Sequence, residues 1–222
     1  MSLCRGILGT TCAAVMVRSV WSVDDLVWYV AFGSNMDSDR LSCYLAGGRP
    51  EGASRTYTGA RDPSPPRRAV PTTIPHRLSF GGRSCVWGGG VAFVEVARDH
   101  TVTTPAVAWL ITVEQLADLI AQENGLEPPG PVPADLPGPG QKGRVAGGRY
   151  DMLVGVGVID GHRAVVLTSG RTPPPNPPTE HYLAMIRRGR ERWHPGDGAV
   201  DLRSGSARDQ AGSADSSAPA SG

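Results

Sequence analysis

Leu26-Val27-Trp28-Tyr29-Val30-Ala31, followed at once by Phe32-Gly33-Ser34-Asn35-Met36, is the stretch on which the reading of this chain turns. The first six residues are aromatic or aliphatic with no polar alternation, the pattern of a short strand buried on both faces. Gly33-Ser34-Asn35 stops that run with turn-forming residues. Beyond it, residues 36–46 (MDSDRLSCYLA) carry Met36, Leu41, Tyr44 and Leu45, with Asp37 or Ser38 as cap, which predicts a short helix ending at Gly47-Gly48. A tight turn that leaves a strand and enters a helix presents successive backbone N–H groups, which suit a carboxylate or an oxyanion.

Downstream, residues 49–76 are rich in Arg and Pro and read as an irregular connection. Short apolar runs at 77–80, 91–96 and 106–112, separated by Gly or Asp, predict strands of an antiparallel sheet or small barrel. Residues 126–148 hold six Pro and six Gly, and are expected to form a loop insertion or mobile lid that packs no core. A strand pair at 150–159 and 164–168 turns at Asp160-Gly161. A closing amphipathic helix spans 179–193, with Tyr182, Met185, Ile186 and Trp193 on one face and its arginines solvated.

The segment 112–123 (TVEQLADLIAQE) opens with Thr112 and Gln115 at capping-box spacing and sets Val113, Leu116, Ala117 and Ile120 on one helical stripe. Glu114 and Asp118 fall away from that stripe and read as solvated acids. Glu123, three residues after Ile120, lies along the stripe's edge. A carboxylate turned toward an apolar interior at the negative end of a helix loses solvation and suits general acid/base work, which makes Glu123 the first candidate for chemistry. The competing reading ends the helix at Ile120 and leaves Glu123 on the surface.

Composition bounds the rest. With 222 residues, one core with decorations is expected. Gly 29 and Pro 20 together make about 22% of the chain, nearly double average usage, so much of it must be loop or tail. Residues 1–24 read as a poorly ordered N-terminal extension. Gly6, Gly9, Thr10 and Thr11 interrupt its apolar run, unlike a signal peptide, and Met16 is a second possible start. Residues 199–222, lacking large apolar side chains over most of their length, read as a disordered tail, leaving 25–198 as the domain.

A net charge of +1 and a basic run, Arg187 to Arg192, without interleaved aromatics argue against nucleic acid, and no apolar stretch is long enough to cross a membrane. Cys4, Cys12, Cys43 and Cys85 lie far apart and form no ligand-spaced set with the five histidines, so reduced thiols, a cytoplasmic setting and no metal are expected. The run Gly138 to Gly143 satisfies G-x-G-x-x-G, but no strand precedes it, which excludes a dinucleotide site. Cys43 reads as a half-buried helix residue and His181 as a surface residue near a helix start.

Several segments together resemble one family. Tyr29-Val30-Ala31-Phe32-Gly33-Ser34-Asn35-Met36 resembles the Tyr-Gly-Ser-Asn-Leu signature of γ-glutamylcyclotransferase-like proteins. Leu78 to Gly81, Trp87 to Ala92, the strand at 106–111, Gln122-Glu123, Tyr150 and the Pro178 to Tyr182 helix start follow in the family's order. The resemblance implies an α+β fold, a small mixed β-barrel flanked by helices. It implies a reaction in which the α-amine of a γ-glutamyl group attacks its own γ-carbonyl, releasing 5-oxoproline and a free amine. Glu123 matches the family's acid/base. Tyr29, Val30, Ala31, Phe32, Gly33, Ser34 and Asn35 would line the substrate loop, with the Gly33 to Asn35 amides near the α-carboxylate, and Tyr150 and Tyr182 would complete the pocket.

The substrate supplies its own nucleophile, so no cofactor is called for. The partner is a small γ-glutamyl molecule rather than a nucleic acid or a membrane, and the protein is expected to be a monomer or homodimer. Two departures stand out: Phe32 replaces the signature tyrosine, and the Pro/Gly insertion at 126–148 leaves room for a bulky leaving group such as a γ-glutamylated metabolite. The alternatives are an amide hydrolase or acyltransferase, in which Glu123 activates water or an external amine, and a ligand-binding module without turnover.

Overall fold

The computed structural model describes residues 25–196, so the expected extension over 1–24, with Cys4 and Cys12, and the expected tail over 199–222 lie outside the described residues. The strand predicted from LVWYVA is β1, Leu26–Ala31. It lies in the middle of a six-stranded sheet with β2 (Arg68–Ile74), β5 (Thr104–Thr112), β6 (Lys142–Arg144), β7 (Met152–Ile159) and β8 (His162–Thr168), in the order β2-β5-β1-β8-β7-β6. β1 runs antiparallel to β5 and parallel to β8, which makes the sheet mixed. With neighbours on both edges and cover on both faces, Val27 to Ala31 are buried throughout, and this is why the run needs no polar alternation. A separate ribbon pairs β3 (Leu78–Gly81) with β4 (Val91–Val94).

Among the described residues three α-helices complete the α+β architecture: α1 (Ser38–Leu45), α2 (Val113–Glu123) and α3 (Glu180–Trp193). Among the described strands the sheet is open. Its ladder ends at β2 and β6, so the expected small barrel is built as an open sheet with the β3–β4 ribbon beside it. No helix of the described residues is long and apolar enough to cross a membrane.

Each helix starts where its cap is written. Asp37 accepts from the N–H of Asp39 at 2.9 Å and from that of Arg40, opening α1. Thr112 and Gln115 exchange both bonds of a capping box at 3.0 Å, opening α2, which then continues unbroken through Glu123. The surface reading of Glu123, with a helix ending at Ile120, is thereby overturned. Thr179 caps α3, and Gly189 lets that helix lie against the turn at Met36: a Cβ there would sit 2.6 Å from Met36 Cβ and 2.8 Å from Asp37 N.

Three expectations are corrected. The connection over 49–76 contains β2, an edge strand paired with β5 in which Pro71 faces Val107; proline costs little at an edge, and its presence hid the strand. Asp118 is not solvated but fully buried, because the same connection and residue 130 fold over the outer face of α2. Its carboxylate accepts from the Arg61 N–H at 2.9 Å, the Arg61 Nε at 3.0 Å and the Gly130 N–H at 2.8 Å. The Pro/Gly insertion is not wholly external either: Leu136 is 1% exposed within the core, and Lys142–Arg144 pairs with β7 as β6.

Candidate active site

The C-terminal end of β1, the turn after it, the end of α2 and the start of α3 converge on one cavity of about 330 Å³. Immediately after β1 the chain makes a single 3₁₀ turn, Ser34–Met36, closed by the N–H of Met36 donating to the Gly33 carbonyl at 3.1 Å. Gly33 is required there by crowding rather than by backbone angle: a Cβ would lie 2.9 Å from Ala92 Cβ and 3.2 Å from the Tyr182 hydroxyl. Trp109 Nε1 donates to the Asn35 carbonyl at 3.0 Å and pins the turn to β5.

Asn35 spends its side-chain amide on two partners. Its Nδ2 donates to Glu123 Oε1 at 2.8 Å and to the Tyr29 hydroxyl at 2.9 Å. The last residue of α2 is thus tied to the turn that follows β1, across 88 residues of sequence. On the other side, Asn124 Nδ2 donates to the carbonyls of Ile120 (3.0 Å) and Tyr150 (2.9 Å), and its Oδ1 accepts from the Tyr150 N–H at 2.9 Å. Asn124 therefore closes α2 and fixes Tyr150 beside Glu123.

Two tyrosines clasp the ribbon strand β4 at Ala92. The Ala92 N–H donates to the Tyr182 hydroxyl at 3.0 Å, and the Tyr150 hydroxyl donates to the Ala92 carbonyl at 3.2 Å. The Tyr150 ring stacks on Phe93 at 5.0 Å between centroids, and Tyr182 tilts against Trp87 at 5.9 Å. Burial, and after it the nearby Glu123 carboxylate, holds the Tyr29 phenol far above its ordinary range. Tyr150 is raised by burial and then by Tyr182 and Glu123; Tyr182 is raised by burial against the opposing Ala92 hydrogen bond. All three remain neutral phenols at physiological pH, donors rather than bases.

Glu123 is the one carboxylate among the described residues lining the cavity, against three guanidinium groups, those of Arg40, Arg55 and Arg149. Arg55 pairs with Glu127 at 2.9 Å, and Arg149 donates to the Arg83 carbonyl. Arg40 is different: it is 3% exposed, its Cζ lies 4.0 Å from the ring centre of Tyr44 and 4.5 Å from that of Tyr57, and it donates to both hydroxyls. No group of three or more metal-ligating side chains occurs among the described residues.

Of the residues named from sequence, Tyr29, Phe32, Gly33, Ser34, Asn35, Glu123, Tyr150 and Tyr182 line the cavity together. Val30 and Ala31 do not. The strand's pleat turns Val30 to the face opposite Tyr29, and the single methyl of Ala31, 1% exposed, is covered before it reaches the cavity wall. Sequence reasoning missed Arg40, Tyr44, Tyr57, Trp87 and Asn124. Arg40 and Tyr44 carry a signal in retrospect, an i, i+4 pair on the same face of α1 as Leu41. Tyr57 carries none, because the connection that bears it has no periodicity.

No family model matches the chain. Over 102 residues, 45% of the chain, it is 46% identical to histone deacetylase 5 from Arabidopsis thaliana, and it spans 16% of the length of that relative. In structure it is similar to a gamma-glutamyl cyclotransferase at 18% identity, covering 78% of this chain and 82% of that one with a TM-score of 0.48. It is likewise similar to a Homo sapiens protein solved as uncharacterized, at 17% identity, covering 78% and 83% of the two chains with a TM-score of 0.47.

Proposed function

We propose that the chain is a cofactor-free γ-glutamylcyclotransferase that releases 5-oxoproline and a free amine from a γ-glutamyl amide, with Glu123 as general acid and base. The observation that carries this reading is a lone carboxylate in a small cavity, held by Asn35 against the turn Gly33 to Asn35 and ringed by neutral phenols. The sequence resemblance of that turn and of Gln122-Glu123 to the family's motifs supports it independently.

In this reading the glutamyl α-ammonium binds beside Glu123 and gives up a proton to it. The freed amine nitrogen attacks the γ-carbonyl carbon, forming the ring C–N bond, and the carbonyl π electrons move onto oxygen. Donors from the loop amides and the buried phenols steady that oxyanion. As the oxyanion collapses, the bond to the leaving nitrogen breaks, Glu123 returns its proton to that nitrogen, and the ring nitrogen sheds its second proton, which leaves with the released amine as an ammonium. Holding amine and carbonyl in one folded molecule replaces a bimolecular encounter, so orientation supplies much of the acceleration. A cavity of about 330 Å³ suits the glutamyl head group and leaves a larger leaving amine to extend past Arg55 and Arg149.

The test is 5-oxoproline release measured across glutathione, γ-glutamyl amino acids and γ-glutamyl amines. Release from any of them supports the cyclotransferase, and the ranking names the leaving group. Free glutamate in place of 5-oxoproline means the hydrolase, and binding without product means a ligand-binding module.

A further inference from the structure

Arg40 is a buried cation without a carboxylate partner. The Arg40 guanidinium is in no ion pair of the described residues and instead meets two tyrosine hydroxyls and the rings of Tyr44, Tyr57 and Trp87. Its Nε and Nη1 have no hydrogen-bond partner. A charge placed in such surroundings is costly unless it is paired and its donors are satisfied. Burial opposes the charge of Arg40, but the oxygens of Tyr44 and Tyr57 and the Glu123 carboxylate outweigh burial, so the group stays a cation. It lines the same cavity as Glu123.

The cavity therefore has two poles, the part-exposed carboxylate of Glu123 and the buried guanidinium of Arg40. An α-amino acid head group is a zwitterion of matching polarity. Resting on the function proposed above, we infer that Arg40 is a substrate-binding residue that takes the α-carboxylate of the glutamyl group together with the Gly33 to Asn35 amides that the resemblance implies for it, so that the α-ammonium is left facing Glu123. The pair of poles then selects substrates with both α groups free. Reversal of the head group would set ammonium against guanidinium and carboxylate against carboxylate, and is rejected for that reason. A guanidinium is the group of choice for this task, because it stays charged and presents planar donors to a carboxylate.

The experiment compares L-glutamine, the smallest γ-glutamyl amide, with its α-carboxamide counterpart, in the parent protein and in Arg40→Lys and Arg40→Met. The parent is expected to prefer the α-carboxylate in kcat/KM by at least 30-fold. Arg40→Met should lose most of that preference, chiefly through a KM for L-glutamine that rises toward that for the carboxamide. Arg40→Lys, which keeps the charge and supports the fold if Arg40→Met does not, should retain part of it.

An equal fall for both compounds, or a preference that survives in Arg40→Met, would overturn the assignment and leave Arg40 a packing residue. If the parent makes no 5-oxoproline from any γ-glutamyl compound, the cyclotransferase reading fails on its own. The role of Arg40 is then read by calorimetry with the same two ligands: tighter binding of L-glutamine that Arg40→Met abolishes upholds it, and equal affinity for both overturns it.

Discussion

The side-chain amide of Asn35 bridges Glu123 Oε1, at 2.8 Å, and the Tyr29 hydroxyl, at 2.9 Å, so one nitrogen links the strand, the turn and the helix end that make the cavity. A carboxylate at the end of a helix is ordinarily free to choose among rotamers. Here a donor on a rigid turn chooses for it, and that turn is pinned in its own right by Trp109. What holds the acid in place is also what makes the site sensitive to small changes.

Glu123→Gln keeps the size of the side chain and removes the proton acceptor. 5-oxoproline release should fall by about 100-fold or more, the scale of a lost general base. The far-ultraviolet circular dichroism and melting temperature should match the parent, because Glu123 is part-exposed and closes no core contact.

Asn35→Asp puts a second carboxylate where a donor now stands. Two like charges at that separation do not both ionise. Activity at neutral pH should fall at least tenfold, and the acidic limb of the kcat/KM profile should move to higher pH. A profile that keeps its shape would show that Asn35 does not govern the acid.

Gly33→Ala adds a methyl 2.9 Å from Ala92 Cβ and 3.2 Å from the Tyr182 hydroxyl. Overpacking of this kind costs about 1–3 kcal/mol. Urea unfolding should show that loss, and KM should rise because Ala92 and Tyr182, both on the cavity wall, must yield. Its backbone φ of −116° is open to any residue, so the effect is steric only.

Asp118→Ala leaves the backbone N–H groups of Arg61 and Gly130 without their acceptor and the Arg61 guanidinium with Glu114 alone, at 2.8 Å. Because the Arg61 side chain is 36% exposed and keeps Glu114, the cost is that of the unpaired backbone donors, about 1–3 kcal/mol. The measurement is chemical denaturation, and Asp118→Asn should recover part of the loss through its carbonyl oxygen.

Asp99 is held down to about 2 by the Thr101 hydroxyl and N–H and by Arg77. Its folded value lies below the unfolded one of roughly 3.9, so it stabilises the fold above that pH and ceases to as pH falls toward 2. The stability curves of the parent and Asp99→Asn should therefore differ at pH 6 to 7 and converge near pH 2. Curves that stay parallel to the acid end would refute this.

Much of the fold is legible in the chain because it is encoded by neighbours. β1 declares itself by an unbroken apolar run and α2 by a capping box and an i, i+3, i+4 stripe, both decided over distances of a few residues. β2 is hidden because its apolar demand is weak: an edge strand is half exposed, tolerates Pro71 and takes its shape from β5. Asp118 departs from its helical pattern for a related reason. Periodicity tells which face of a helix is polar, not whether another segment later covers that face.

The sequence by itself determined the strand-turn-helix unit at Leu26 to Leu45, the helix that delivers Glu123 to its last turn, and the tyrosines at 29, 150 and 182. Only the tertiary structure decided that Asn35 would hold Glu123, that Val30 and Ala31 would not line the cavity, and that Arg40 would stand in an aromatic cage on it. Local preferences come from interactions along the backbone and act within a turn or two. A site is made of charges and donors brought together from 88 residues apart, and those meet only when the apolar core has closed around them.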